Sequence, residues 1–70
     1  MNKRDKKQIE GLQIVQARLS QDGMNAESFH GIAARLISAM VRCSLSSKAR
    51  NELLQVAADM GVRNHPEFII

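Results

Sequence analysis

Tryptophan and tyrosine are absent from these 70 residues, and phenylalanine occurs only twice. Single-stranded nucleic acid is held by stacking bases on exposed rings, and that platform is missing. The single cysteine, Cys43, excludes an intrachain disulfide and suits a reducing compartment. Two histidines, with no Cys-x-x-Cys or His-x-x-x-His pair, give no metal-ligand spacing. The four glycines are isolated from one another, so no loop is built to cradle a phosphate. No apolar run approaches the ~20 residues of a membrane span. The longest, Ile32 to Val41, contains Arg35, and Ile9 to Leu19 is broken by Gln13, Gln16 and Arg18. Neither a span nor a signal peptide is expected, and the expected location is the cytoplasm, in a chain of bacterial type.

Catalysis is poorly provided for. A cysteine nucleophile needs a base beside it. His30 and Cys43 stand 13 residues apart on one candidate helix, which puts about 20 Å between them along the axis. The second histidine, His65, lies in the tail with nothing to place it beside Cys43. The expectation is a non-enzymatic protein with no cofactor and no metal.

Size sets the next constraint. A single domain of this length buries only about 60% of its unfolded surface. Chains so small add disulfides, a metal or a second subunit. The first two are excluded above, so a homodimer is expected.

What the sequence does contain is helical periodicity. From Lys3 to Gln21, Ile9, Leu12, Val15 and Leu19 fall within about 120° of arc. Ile14 lies on the opposite side. Residues 1–7 carry Lys3, Arg4, Lys6 and Lys7, cations that oppose the helix dipole and predict a frayed start. Gly23 reads as a C-terminal stop and Asn25 as the next N-cap, with Met24 and Phe29 placed for a hydrophobic staple. A second helix, Ala26 to Cys43, is the most apolar. Phe29, Ile32, Ala33, Leu36, Ile37, Ala39, Met40 and Cys43 cover about 160° of its surface, marking it as central. Ser46 or Ser47 can cap a third helix from Lys48 to Met60, with Ala49, Leu53, Val56, Ala57 and Met60 on its stripe. The alternative is one continuous helix, since neither proline nor glycine intervenes. Residues 62–70 contain Pro66, which predicts an extended tail, and they end on apolar residues.

The fold class is therefore all-α: a helical hairpin or three-helix domain of residues 1–70. The expected core is Ile9, Leu12, Val15, Leu19, Phe29, Ile32, Ala33, Leu36, Ile37, Met40, Leu53, Val56 and Met60.

Two functions compete on this frame. Gly31, Ala34 and Ser38 form a small-residue stripe opposite the main apolar face, bordered by Arg35 and Arg42. Small residues allow close helix approach, either within the chain or to another protein. With Ile14 and Leu54 off the main stripes and Phe68 and Ile69 in the apolar tail, these residues suggest a protein-binding modulator, an adaptor or inhibitor of a larger protein. The tail has the same two options, docking on its own core or on a partner. The alternative is a small helix-turn-helix-like DNA-binding regulator using Lys3, Arg4, Lys6, Lys7, Arg50 and Asn51. Ten Lys and Arg against seven Asp and Glu favour it mildly. In size the chain resembles the short accessory proteins of bacteriophages and other mobile elements. That resemblance implies modulation of a host protein and points to no particular residue.

Overall fold

The computed structural model describes residues 2–70, and among them it contains three α-helices and no strand. These are α1 (Lys3–Gln21), α2 (Glu27–Cys43) and α3 (Ser47–Asp59). The continuous-helix alternative does not occur. Ser44 is extended, with ψ at 130°, and the Ser46 side chain accepts the Ala49 N–H at 3.3 Å, starting α3 afresh.

Among the crowded cations, α1 begins at Lys3 and is capped by Asn2. Its side-chain oxygen accepts the Asp5 N–H at 2.8 Å, and Asp5 adds an acid to the first turn, both favourable at the positive end of the dipole. Helices α1 and α3 end by one device. Gly23 and Gly61 take positive φ, at 67° and 74°. The following N–H groups then reach back five residues, Met24 to Leu19 and Val62 to Ala57, the hydrogen-bond pattern that satisfies terminal carbonyls. The two closures differ in what they seat. Val62 is fully buried, whereas Met24 stays exposed, so the expected staple with Phe29 does not close. Asn25 accepts the Glu27 N–H at 3.0 Å at the entry to α2.

The core is Ile9, Ala33, Ala34, Ile37, Val41, Leu53, Ala57, Met60, Val62 and Phe68. This corrects the expected orientation of α2. Its buried arc runs through Ala33, Ile37, Val41, Ala34 and Ser38, which is rotated by about 100° from the predicted apolar face. The small stripe points inward, and Ile32, expected in the core, is 54% exposed. The reason is steric: α2 packs most extensively on α3, and alanine and serine allow that approach. Val15 of α1, also expected inside, is 45% exposed. Ile9 is the only buried residue of α1. The helix is further tied down by Gln16, whose Nε2 donates to the Met60 carbonyl at 3.2 Å.

The tail is folded back rather than extended. His65 N–H donates to Val62 O at 3.1 Å and Phe68 N–H to His65 O at 2.9 Å, giving two successive tight turns. Pro66 occupies the second position of the second turn, where its fixed φ is an advantage. Phe68 thereby enters the chain's own core, with the Arg63 guanidinium 5.2 Å from its ring centroid.

Candidate protein-binding surface

The residues singled out from sequence separate into three groups. Ala34, Ser38 and Phe68 are buried within the chain, so in this fold they cannot meet a partner. Gly31 is half-buried beside His65, whose Cε1 lies 3.7 Å from where a Cβ on residue 31 would stand. The stripe they form is filled by α3 and the tail. Ser38, the one buried polar side chain among the described residues, is satisfied by donating to the Arg35 carbonyl at 3.1 Å.

The second group converges. Arg42, Arg50, Leu54, Val41 and Ile70 line a notch of about 320 Å³ where the tail crosses α2 and α3. Arg42 donates to the Ile69 carbonyl and so anchors the last turn of chain. Arg50 Nη2 donates to Ser44 O at 3.2 Å, bracing the α2–α3 junction. These guanidiniums hold the fold together at the same time as they edge the notch. Arg35 and Ile69 are exposed nearby in sequence, while Ile14 stands alone on the outer side of α1, 69% exposed.

The third group is the basic set proposed for DNA. Lys3, Arg4, Lys6 and Lys7 are exposed on the first turns of α1, and Asn51 is exposed on α3. Arg4 and Arg50 border different cavities that share no lining residue. The structure therefore does not gather this set around one cavity.

Sequence reasoning missed the most extensive feature, the outward side of α2. Phe29, Ile32, Leu36, Ala39 and Cys43 recur at spacings of three and four, the seam spacing of a packed helix pair. Ile32 and Cys43 are exposed and Leu36 and Ala39 half-buried, whereas Phe29 and the neighbouring Met40 are half-buried and pack against the chain's own core. On α1, Val15 is exposed and Leu12 half-buried. At the C-terminal end the row opens into a cleft of about 670 Å³, whose walls include Asp5, Gln8, Ala39, Met40, Cys43 and Ala49. Leu45 stands fully exposed at its edge. The signal was present in the sequence as the 160° apolar arc, but that arc was assigned to the interior.

No protein-family model matches this chain, and no curated protein or solved structure is significantly similar to it. The geometry therefore stands alone. Among the described residues no group of three or more His, Cys, Asp or Glu side chains can hold a metal ion, and no helix is long and apolar enough to cross a membrane.

Proposed function

We propose that this protein is a non-enzymatic protein-binding modulator, an adaptor or inhibitor that acts in the cytoplasm by covering part of a larger protein. The observation that carries this reading is the outward row Ile32, Leu36, Ala39 and Cys43 on α2. An apolar row at helical seam spacing loses free energy in water and regains it against another apolar helix. The notch at Arg42, Arg50, Leu54 and Ile70 supplies a second, cationic contact for an acidic segment of the target. An amphipathic helix from the target, laid along the row with an acidic flank toward Arg35 and Arg42, meets both features. The expected homodimer belongs to the same reading, since a second copy also offers an apolar helix.

The test is affinity capture of the tagged chain and of an Ile32→Lys variant from bacterial lysate, with and without nuclease. A host protein retained by the parent chain after nuclease, and lost with Ile32→Lys, establishes the reading and identifies the target. Recovery of nucleic acid alone, abolished by nuclease and unaffected by Ile32→Lys, overturns it in favour of a DNA-binding regulator acting through Lys3, Arg4, Lys6 and Lys7.

A further inference from the structure

We infer that the end of the molecule where α1 begins and α2 passes into α3 docks on an anionic lipid bilayer. The inference is independent of the α2 row and adds a place of action to the protein-binding reading.

Charge is segregated in this fold. Residues 2–7 and 42–50 hold seven of the ten Lys and Arg and only one of the seven acids, Asp5. Their formal charge is +6, seven cations less one acid, and the remaining residues carry −3, three cations less six acids. The fold sets the two stretches side by side. Arg4 and Asp5 share one cleft with Cys43, Leu45 and Ala49, and Arg50 Nη2 donates to the Ser44 carbonyl at 3.2 Å. Lys3, Lys6, Lys7 and Lys48 are exposed at the same end. These cations border two cavities but one end of the molecule. The other end carries Asp22 and Glu27 at the α1–α2 turn, with Arg18 3.8 Å from the Asp22 carboxylate. The modest charge of the whole chain therefore conceals a strongly cationic end, and a negative surface draws the molecule in with that end foremost.

A second observation decides which anionic surface fits. Leu45 is 102% exposed, more than any other large apolar side chain among the described residues. It is the middle residue of the three-residue link between α2 and α3, and that link is braced. Ser44 Oγ donates to the Ser46 carbonyl at 3.1 Å, which with the Arg50 bond holds the backbone on both sides of the leucine. The fold thus presents an apolar side chain to water in the midst of cations. Nucleic-acid phosphates gain nothing from it, and neither stretch contains an aromatic ring on which a base could stack. A bilayer uses both parts, with lysine and arginine at the headgroups and the leucine in the acyl boundary beneath. Either signal alone binds weakly, and an apolar anchor beside a polybasic patch is the pairing that holds a peripheral protein. End-on contact leaves Ile32 and Leu36 of α2 open to a protein target.

Vesicle co-sedimentation of the intact chain tests the inference, with phosphatidylglycerol–phosphatidylcholine mixtures against phosphatidylcholine alone. The parent is expected to bind the mixed vesicles, less so as salt rises, and to stay in solution with phosphatidylcholine. Leu45→Ser removes no internal packing, because residue 45 is fully exposed, and is expected to lower partitioning about tenfold. Lys3→Gln combined with Lys7→Gln is expected to lower it roughly 30-fold, about fivefold per cation. The chain has no Trp or Tyr, so a Leu45→Trp variant reports from residue 45 alone. Its emission is expected to move to shorter wavelength on mixed vesicles. Absence of binding to mixed vesicles overturns the inference, as does binding that Leu45→Ser leaves unchanged, or Leu45→Trp emission that does not move. A duplex oligonucleotide held more tightly than mixed vesicles, and equally by the parent and Leu45→Ser, overturns it in favour of nucleic-acid phosphates. Failure here leaves capture of a host protein through Ile32 untouched, since none of these variants alters Ile32 or Leu36.

Discussion

Two isoleucines on α2 give the sharpest test of how this helix is turned. Ile37 is wholly buried against the core, and Ile32, five residues earlier, is 54% exposed. Truncating each to alanine removes the same atoms from the same helix, so only the surroundings differ. For Ile37→Ala the loss is transfer free energy plus a cavity, about 3–4 kcal/mol. The whole domain holds only about 3.5–10 kcal/mol at ordinary stabilities per residue. Ile37→Ala is therefore expected to lower Tm by about 15 °C or more, or to leave the chain largely unfolded. For Ile32→Ala about half of an isoleucine's burial is lost, about 1 kcal/mol, and alanine returns a few tenths through its better helix propensity. The net is about 0.5 kcal/mol and a Tm shift of about 2–4 °C. Thermal unfolding by far-UV circular dichroism measures both. Equal losses at the two positions, or a larger one at Ile32, would refute the orientation of α2 described above.

Other positions test separate parts of the account. Ala34→Leu forces three extra carbons into the packed α2–α3 contact and is expected to cost about 1–3 kcal/mol, read as a lower denaturant midpoint; a neutral result would mean that the stripe is not filled. Gly61→Ala places a Cβ on a residue at φ 74° with open space around it, so only backbone strain acts, about 1–2 kcal/mol by urea unfolding. Phe68→Ser is expected to lower stability by about 3 kcal/mol because the ring is in the core, while Ile69→Ser, at an exposed position, changes it by less than about 0.5 kcal/mol. Comparable effects for that pair would contradict the docked tail.

The helix boundaries were legible because they are set by local chemistry. Gly23 and Gly61 mark stops where only glycine takes positive φ at no cost, and Ser46 marks a start through its own side chain. The rotation of α2 was not legible. Its surface is apolar nearly all round, interrupted mainly by Glu27, Arg35 and Arg42, so amphipathic periodicity offers two candidate inner faces. The larger side chains suggested one, and the close approach of α3 selected the other. Arg42 borders the small-residue stripe and Leu54 lies off the main one, and the structure brings both to one notch. Phe68 is expected from sequence as a partner contact in an apolar tail, and of the two docking options the structure takes the chain's own core. The folded tail eluded the sequence because Pro66 was read as enforcing extension, whereas one residue of extension before a proline also begins a tight turn.

The outward setting of the α2 row, on which the proposed function depends, is tested most directly by thiol labelling in the native state. Ile32→Cys and Ser38→Cys, each combined with Cys43→Ser, are mixed with a maleimide at nanomolar protein. Ser38 is 1% exposed and Ile32 54% exposed. Label therefore reaches residue 38 only through unfolding, and the account predicts it to react more than about 100-fold more slowly than residue 32. Rapid reaction at residue 38 with protection at residue 32 would turn α2 the other way, bury the row, and remove the surface on which the function was built.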